Sequence, residues 1–290
     1  MADHMFGGIE AGGTKFVCVV GDGPEEILER KRIDTTDPST TLAACLEFFA
    51  GHEPIRALGI ASFGPLELRR SHPDYGRVTT TPKPGWSGAD LVGPFVERLG
   101  VPVAVDTDVN GAALAEVRWG AAMGLRNAVY VTVGTGVGGG AVIDGTPVAG
   151  LVHPEMGHVS ISRLPGDDFD GVCPFHGDCF EGMASGPAIE ARWGRPAEEV
   201  EDTQRLVEIE AATIAAGLRQ IVYVLAPERI VLGGGVSKLA GLHDRVNIEL
   251  VGQMSKYAVM AAHQSGFVVP PGLGDDAGVA GALALAAAAL

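Results

Sequence analysis

Apolar and polar positions along the first half of the chain predict alternating strands and helices. Two apolar runs, Phe6 to Glu10 and Thr14 to Val20, flank a glycine turn, and this pattern predicts a β-hairpin. From Thr41 to Phe49 the apolar residues recur at helical spacing, so we expect a helix there. Buried strands are expected at 57–62 and 101–105, with a short helix at 91–99 between them.

The second half of the chain repeats the opening pattern. Two strands are expected at 128–133 and 139–143, joined by a turn that contains glycine and threonine, and this indicates a weak internal repeat. The remaining expected elements are a helix at 205–225, a strand at 229–232, a glycine turn at 233–235, and helices at 242–262 and 276–290. Strands alternating with helices indicate α/β layers, and the hairpins favour mixed sheets. Ligands are expected in a cleft between the two halves.

Composition and charge exclude several classes of partner. The formal net charge is −15 and no basic run is present, which disfavours nucleic-acid binding. The segment Met1 to Met5 lacks the features of a signal peptide. The apolar tract from Ala282 to Leu290 is far shorter than the ~20 residues of a membrane span. We therefore expect a cytoplasmic protein with neither a membrane nor a nucleic acid as partner.

Three glycine-rich turns that follow predicted strands are candidates for phosphate binding. Glycine lets backbone N–H groups approach a phosphate closely. The first turn adds a hydroxyl and a cation, and the second adds another hydroxyl. Neither has the spacing of a P-loop or of the dinucleotide fingerprint, so the prediction depends on their combination. The turns are Gly12-Gly13-Thr14-Lys15, Gly134-Thr135-Gly136 and Gly233-Gly234-Gly235.

Two carboxylates follow the strand predicted at 101–105 and precede a helix predicted at 112–119. Asp106 and Asp108 are expected at the edge of the sheet, where ligands bind. One of them could cap the helix, which would stabilise it by ~1 kcal/mol. The alternative is a general base that takes a proton from a substrate hydroxyl. Capping needs only one acid, and the residues leave both interpretations open.

A cluster of histidine and cysteine predicts a metal site. His158, Cys173, His176 and Cys179 offer two imidazoles and two thiolates, and Zn²⁺ favours such tetrahedral sites. Four protein ligands would make the zinc structural; the alternative is a set of unpaired core residues. The nearby acids Asp167, Asp168 and Asp170 are expected in a solvated loop. Cys18 and Cys45 are expected to be inert core thiols.

Taken together, these motifs resemble the ROK family (repressors, open reading frames and sugar kinases), and the likeness is to its bacterial fructokinase branch. The resemblance covers nearly the whole chain. It rests on Gly7 to Phe16, Ser62 to Pro65, Thr81 to Trp86, Asp106 to Gly111, Gly134 to Gly140, His153 to His158, Cys173 to Glu181, and Gly186-Pro187.

The resemblance implies a fold and a domain organisation. The fold would be the two-domain actin-like ATPase (ribonuclease H-like) fold, with mixed sheets and a cleft between the domains. The smaller N-terminal domain would comprise residues 1–110 together with a last helix at about 276–290. The larger domain, residues 111–275, would carry the zinc knuckle. A homodimer is implied by the resemblance only.

The resemblance also assigns roles to residues. Asp108 matches the catalytic base, and Glu10 stands where this superfamily commonly carries the Asp that helps to place Mg²⁺. His158 would bind zinc through one ring nitrogen and face the sugar with the other. The implied sugar-binding residues are Gly64, Pro65, Thr107, Glu155, His158 and Glu181. The implied nucleotide-binding residues are Gly12, Gly13, Thr14, Lys15, Gly134, Thr135, Gly136, Gly186, Pro187, Gly233, Gly234, Gly235, Val236 and Ser237.

The implied reaction is the ATP-dependent phosphorylation of D-fructose to D-fructose 6-phosphate. Thr107 stands where many family members carry Asn, and this departure favours fructose over glucose-type substrates. The alternative is a kinase of another hexose, such as mannose, glucose or an N-acetylhexosamine. A sugar-sensing repressor is not expected, because the charge balance is acidic and the first phosphate turn begins at Gly12, which leaves no room before it for a DNA-binding domain. A non-catalytic sugar-binding protein is not expected either, because Asp108 and the three glycine turns would then have no role.

Overall fold

A computed structural model describes residues 5–52, 54–255 and 266–290, so most of the segment Met1 to Met5 lies outside the described residues. The chain divides into two compact units. Unit 1 comprises Met1–Met123, Gly140–Pro154 and Leu273–Leu290, and unit 2 comprises Gly124–Gly139 and Glu155–Gly272. Unit 1 thus includes residues 111–123, which follow the expected boundary at 110. That boundary stays a prediction.

Ten strands and eight α-helices are found in the described residues. In chain order they are β1 (Phe6–Ala11), β2 (Lys15–Gly21), β3 (Ile27–Asp34), α1 (Pro38–Ala50), β4 (Leu58–Ser62), α2 (Gly93–Leu99), β5 (Val103–Thr107), α3 (Asp108–Trp119), β6 (Ala128–Val133), β7 (Val137–Ile143), β8 (Thr146–Pro147), α4 (Phe180–Ala184), α5 (Gly186–Trp193), α6 (Thr203–Leu225), β9 (Arg229–Gly233), α7 (Leu242–Gln253), β10 (Val268–Val269) and α8 (Ala277–Ala288).

The sheet of unit 1 has the strand order β3-β2-β1-β4-β5. β1 pairs antiparallel with β2 and parallel with β4, and β4 pairs parallel with β5. The register places Ala11 opposite Ser62, and Ser62 opposite Thr107. The carboxyl ends of β1, β4 and β5 therefore lie at one edge of the sheet, and the loops that leave these strands begin there.

Helices α3 and α8 of unit 1 pack unusually closely on each other and on the sheet. A Cβ atom at Gly281 would lie 2.5 Å from the carbonyl carbon of Gly111. A Cβ atom at Gly59 in β4 would overlap the carbonyl oxygen of Ala282. Glycine at these positions lets the backbones approach, so the start of α3 is held firmly against the strands.

The second sheet has the order β10-β9-β6-β7-β8, with β6 parallel to β9 and β9 parallel to β10. The chain passes from unit 2 to unit 1 within β7. Thr132 of β6 pairs with Gly233 of β9, so these two strands end side by side. The 23-residue helix α6 of unit 2 has a buried face that runs from Leu206 to Val222.

Each sheet contains both parallel and antiparallel strand pairs, as the predicted hairpins indicated. The pattern missed β3, β8, β10, α4 and α5. α7 ends at Gln253, and the part of the expected 242–262 helix from residue 256 onwards lies outside the described residues. No helix among the described residues is long and apolar enough to cross a membrane.

Candidate active site and metal centre

Asp106 and Asp108 occupy contrasting environments at the end of β5. Asp106 lies in the strand and is buried, and its Oδ1 accepts hydrogen bonds from the backbone N–H of Thr107 at 2.7 Å and from Asn110 Nδ2 at 2.8 Å. Burial raises the pKa of Asp106, although the hydrogen bond from Asn110 opposes this. Asp108 is the first residue of α3 and is exposed. Only Asp108 therefore presents its carboxylate to a ligand from solvent.

Neither acid caps α3. The cap is Thr107, whose hydroxyl oxygen accepts a hydrogen bond from the backbone N–H of Asn110 at 3.2 Å. The strand also extends two residues further than expected, and α3 begins at Asp108 instead of Ala112. The N-cap position proposed for one of the carboxylates is occupied by Thr107 instead, and Asp108 Oδ1 accepts a hydrogen bond from the backbone N–H of the next residue, Val109, at 2.9 Å.

Asn110 is a buried residue whose importance the sequence did not reveal. Besides the bond to Asp106, its Nδ2 donates to the carbonyl of Val148 at 3.2 Å, and its Oδ1 accepts from the backbone N–H of Ala141 at 3.2 Å. One amide thus joins the start of α3 to the strand β7 and to the segment after β8. The position of Asp108 depends on this network.

The first glycine turn lies at the same edge of unit 1 as Asp108. The backbone N–H of Gly12 donates to the carbonyl of Lys15 at 2.9 Å, and the Thr35 hydroxyl donates to the carbonyl of Gly12 at 2.8 Å. Residues 13–15 at the tip are exposed. Gly64 and Pro65, joined by a cis peptide bond, follow β4 at this edge. Unit 1 therefore gathers the predicted phosphate turn, three predicted sugar-binding residues and the candidate base.

Glu10 in β1 interacts electrostatically with several charged groups near this turn. Burial raises the pKa of its carboxyl group, and the charges of Asp108 and Asp276 raise it further. Lys15 and Arg30 act in the opposite direction. Carboxylate oxygens are the hard ligands that Mg²⁺ prefers, so the donor chemistry of Glu10 fits that ion.

The predicted nucleotide-binding residues of unit 2 are also close to one another. The backbone N–H of Gly186, at the start of α5, donates to the carbonyl of Gly134 at 2.7 Å. Gly234 has φ +90°, a conformation that favours glycine, and Ser237 Oγ donates to its carbonyl at 2.8 Å. β6 and β9 end side by side, so the turn at 134–136 and the turn at 233–237 lie together with Gly186 and Pro187.

A cavity of about 430 Å³ lies in unit 2. It lies between the first turns of α6 and the segment that follows Ser237. Apolar side chains form part of the wall, and polar groups form the rest. The lining residues are Thr203, Gln204, Val207, Glu208, Leu239, Ala240 and Arg245.

Glu181 in α4 lies against the second glycine turn. Its Oε2 accepts a hydrogen bond from the backbone N–H of Val137 at 3.0 Å, and a Cβ atom at Gly136 would collide with it. Glu155, another predicted sugar-binding residue, is exposed and precedes the short 3-10 turn Met156–His158. Unit 2 thus holds both acids, and no local pattern predicted the contact between Glu181 and the turn.

The four predicted metal ligands converge. Their ligand atoms all lie within 4.8 Å of one another. His158 Nδ1 is 3.8 Å from Cys173 Sγ and 3.6 Å from Cys179 Sγ, and His176 Nδ1 is 3.7 Å from Cys173 Sγ. Tetrahedral Zn²⁺ with bonds of ~2.3 Å to sulfur and ~2.0 Å to nitrogen separates such atoms by about 3.6 Å. The residues therefore fit a zinc ion closely.

The local fold supports this metal geometry. Cys173 and Gly177 exchange two backbone hydrogen bonds, at 3.1 Å and 2.9 Å, which close a tight knuckle around His176. Gly177 has φ +62°, so glycine suits the turn. Because His158 directs Nδ1 toward the thiols, Nε2 remains for a different partner.

Asp167 was wrongly expected to belong to a solvated loop. Its side chain is 8% exposed, and it forms a two-pronged ion pair with Arg192, at 2.7 Å and 3.0 Å. Hydrogen bonding to Arg192 lowers the pKa of Asp167. The Arg192 guanidinium also lies over the Phe169 ring, 4.4 Å from its centroid. Asp167 therefore anchors the loop before the metal knuckle to α5, whereas Asp170 is fully exposed.

Comparison with known proteins identifies the family. Residues 6–289 match the model of the ROK family. The chain belongs to the ROK family. This confirms the resemblance drawn from the motifs, and the actin-like ATPase fold expected from it. Both sheets and the alternating helices of this ROK protein are consistent with that fold.

Three similar proteins illustrate the relationship. The chain is 47% identical to a fructokinase from Zymomonas mobilis over 293 residues, covering 98% of this chain and 97% of the relative. It is 39% identical to a fructokinase from Pediococcus pentosaceus, with 99% of each covered. Among solved structures, a ROK family glucokinase from Streptomyces griseus in complex with glucose and AMPPNP matches with a TM-score of 0.73 at 26% identity, covering 98% of this chain and 99% of that one.

Proposed function

We propose that this ROK protein is an ATP-dependent fructokinase that converts D-fructose to D-fructose 6-phosphate. The observation that carries this proposal is the relationship between Asp108 and Glu10. Asp108 is exposed at the start of α3, directly after β5, and Glu10 is near the end of β1; both strands run parallel to β4 and end at one edge of the sheet. The candidate base therefore lies beside the first phosphate turn within one compact unit, as phosphoryl transfer to a hydroxyl requires.

The relatives support both the reaction and the substrate. Two fructokinases match the chain over nearly its whole length. The Streptomyces griseus structure holds a hexose and an ATP analogue, so a protein of this fold accommodates both. Thr107, where many family members carry Asn, favours fructose. A kinase of mannose, glucose or an N-acetylhexosamine is the alternative that a substrate panel would reveal.

Each predicted residue has a role in this mechanism. Asp108 accepts the proton of the 6-hydroxyl group while the γ-phosphoryl group is transferred. The turns at 12–15 and 134–136 hold phosphates through backbone N–H groups, and Lys15 adds a positive charge. Gly186, Pro187 and the turn at 233–237 lie along the adenosine. The cavity lined by Leu239 and Ala240, which follow that turn in the chain, has the mixed apolar and polar lining that suits a purine.

Each unit, taken by itself, contains residues to which we assign a role in sugar recognition. In unit 1, Gly64, Pro65 and Thr107 present backbone and hydroxyl groups at the sheet edge. In unit 2, Glu155 and Glu181 provide carboxylates that accept hydrogen bonds from sugar hydroxyls. His158 contributes Nε2, because Nδ1 is directed toward the thiols.

Two metal ions complete the proposal. Mg²⁺, when bound with ATP, would neutralise phosphate charge, and Glu10 is the residue that would help to hold it. Zn²⁺, when bound by His158, Cys173, His176 and Cys179, would fix the orientation of the His158 ring and the start of α4. The zinc is structural, because four protein ligands leave no position for a substrate.

The proposal includes an assembly and a location. We propose a homodimer in the cytoplasm that binds neither nucleic acid nor membrane. The net charge of −15 argues against nucleic-acid binding, because nucleic-acid affinity depends on neutralising phosphates with lysine and arginine. Sedimentation of the purified protein tests the dimer. A monomer at micromolar concentration would contradict the proposed homodimer.

A substrate panel tests the function. ADP release is measured with fructose, glucose, mannose and N-acetylglucosamine side by side, with ATP and Mg²⁺ present. We expect the highest kcat/KM with fructose, and ³¹P NMR of the product should place the phosphate on O6. A higher kcat/KM with another hexose would identify that sugar as the preferred substrate in place of fructose. Absence of sugar-dependent ADP release with all four would contradict kinase activity.

A further inference from the structure

Lys83 reaches the tip of the first glycine turn from a distant part of the chain. Its Nζ donates a hydrogen bond to the carbonyl oxygen of Gly13, across 70 positions of sequence. Both residues belong to unit 1. The side chain is half-buried, whereas Gly13 and Lys15 are exposed. An ammonium group therefore lies at the turn where phosphate binding is proposed, in addition to Lys15.

The backbone around Lys83 is unusually well fixed. Pro82 and Pro84 flank it, and each proline restricts its own φ and the residue before it. Lys83 N donates to Thr81 Oγ1 at 3.3 Å, and the N–H of Trp86 donates to the Lys83 carbonyl at 3.2 Å. The backbone that carries the ammonium group is therefore rigid, and this lowers the conformational entropy lost when the group binds an anion.

Trp86 attaches this rigid segment to the hairpin that carries the turn. Its ring is fully buried, with its centroid 5.3 Å from that of Phe16 in β2 and 5.5 Å from that of Phe63. Its Nε1 donates to the carbonyl of Thr36 at 2.9 Å. Because the indole already anchors the segment, the bond from Lys83 to Gly13 is not needed to hold it in place.

The chemistry of the contact also favours a different main partner for Lys83. The hydrogen bond from the Lys83 ammonium group to the Gly13 carbonyl is charge-assisted on the donor side only, because the carbonyl is neutral. A phosphate oxygen is also a hydrogen-bond acceptor and carries negative charge, so it adds an attraction between opposite charges that the Gly13 carbonyl lacks. A terminal phosphate at this turn would therefore compete effectively with the Gly13 carbonyl for the ammonium group.

We propose that Lys83 is a phosphate-binding residue that contacts the terminal phosphoryl group of the nucleotide and stabilises its charge during transfer. This rests on the proposed kinase function. Lys83 and Lys15 then have separate tasks. Lys15 lowers the pKa of Glu10 through its charge, whereas Lys83 is held above the turn by the segment at 81–87.

The matched variants are Lys83→Met, which keeps the length of the side chain without its charge, and Lys83→Arg, which keeps the charge. Lys31→Met on the exposed strand β3 is the control. We expect Lys83→Met to lower kcat about 100-fold, as loss of one aligned donor does, with little change in melting temperature. Lys83→Arg should recover part of kcat, and Lys31→Met should be unchanged.

Nucleotide affinity separates phosphate binding from a structural role. By calorimetry in the presence of Mg²⁺, Lys83→Met should weaken AMPPNP binding at least about tenfold more than ADP binding, because ADP lacks the terminal phosphate. Equal weakening of AMPPNP and ADP binding, or an unchanged kcat, would show that Lys83 only holds the first glycine turn in place. Either result would overturn the proposal. If wild-type protein phosphorylated no sugar, kinase activity would fail, while the AMPPNP-to-ADP comparison would still decide the role of Lys83.

Discussion

The carboxylate of Glu181 accepts a hydrogen bond from the backbone N–H of Val137 at 3.0 Å. Glu181 lies in α4, and the residue that precedes this helix is Cys179, one of the four candidate zinc ligands. A single side chain thus joins the metal knuckle to the second glycine turn. A change at the metal site should therefore affect both the sugar-binding acid and the phosphate turn.

Loss of a zinc ligand should weaken sugar binding. Protein purified without chelator should contain about one zinc per chain, because four ligands close one tetrahedral site. Cys179→Ala should lose most of the metal and raise the KM for fructose, because Glu181 follows the altered residue by two positions. Elemental analysis and steady-state kinetics measure the two effects.

Cys45→Ala provides the control for a lost thiol. Cys45 is buried in unit 1 and is not one of the four converging ligands. This variant should keep its zinc and its KM for fructose. Wild-type protein without zinc, or a Cys179→Ala protein that retains zinc and a normal KM, would refute the metal site.

Asp108 should be essential for turnover and dispensable for folding. Asp108→Asn cannot accept a proton at neutral pH, so kcat should fall at least ~10²-fold. The helix keeps its cap, because Thr107 and not Asp108 provides it. Melting temperature and the affinity for ATP should therefore stay close to those of the wild type.

Asp106→Asn is the matched control for Asp108→Asn. Asn keeps an oxygen that can accept from Thr107 N–H and Asn110 Nδ2, so most of the turnover should remain. Steady-state kinetics on both variants gives the comparison. Near-normal kcat for Asp108→Asn would remove this residue from the mechanism.

Asn110→Ala should destabilise unit 1 strongly. The substitution removes three side-chain hydrogen bonds and leaves the buried groups of Asp106 and Ala141, and the half-buried carbonyl of Val148, without that partner. Buried polar groups that lose a partner cost about 1–3 kcal/mol each, so we expect a loss of ~3 kcal/mol or more in the free energy of unfolding. Urea denaturation measures this quantity.

Asn247→Ala is a control in which a similar hydrogen-bonded side chain is more exposed to solvent. Asn247 also makes three hydrogen bonds, to His243 and Val268, but its side chain is half-buried. Water can replace part of those bonds, so the loss of stability should be smaller. A cost for Asn110→Ala no greater than that for Asn247→Ala would contradict the importance assigned to the buried network.

Local patterns in the sequence predicted much of this architecture. Apolar runs predicted β1, β2, β4 and β6 to within one or two residues, because these strands are buried. The metal knuckle was also predictable, since three of its four ligands fall within seven residues. In each case the chemistry that defines the feature is local.

The features that were missed depend on distant partners or on exposure. β3 is an exposed edge strand rich in charged residues, so it lacks the apolar alternation that marks a strand. Asp106 is a polar residue inside a strand. The role of its partner Asn110 depends on a contact with a residue more than 30 positions away in the sequence. The partner of Asp167 is Arg192, 25 positions along the chain. No local pattern contains such pairings.

Glu210 in α6 is a fully buried acid with an unusual environment. Neither of its carboxylate oxygens has a hydrogen-bond partner among the described residues. Burial raises the pKa of Glu210 to about 8, although the positive charge of Arg192 partly opposes this. The side chain is therefore protonated in the folded protein at neutral pH, whereas the unfolded chain ionises it near its ordinary pKa of 4.5.

This difference makes stability depend on pH. Between pH 4.5 and about 8 the folded state binds a proton that the unfolded state has lost, so Glu210 lowers the free energy of unfolding as pH rises. Glu210→Gln removes that dependence. Urea denaturation from pH 5 to 9 should show the variant gaining on the wild type by up to ~1.4 kcal/mol per pH unit, then levelling above pH 8. Glu208→Gln, on the partly exposed side of the same helix, is the control and should follow the wild type. A constant difference between Glu210→Gln and wild type across this range would show that Glu210 has the same protonation state folded and unfolded.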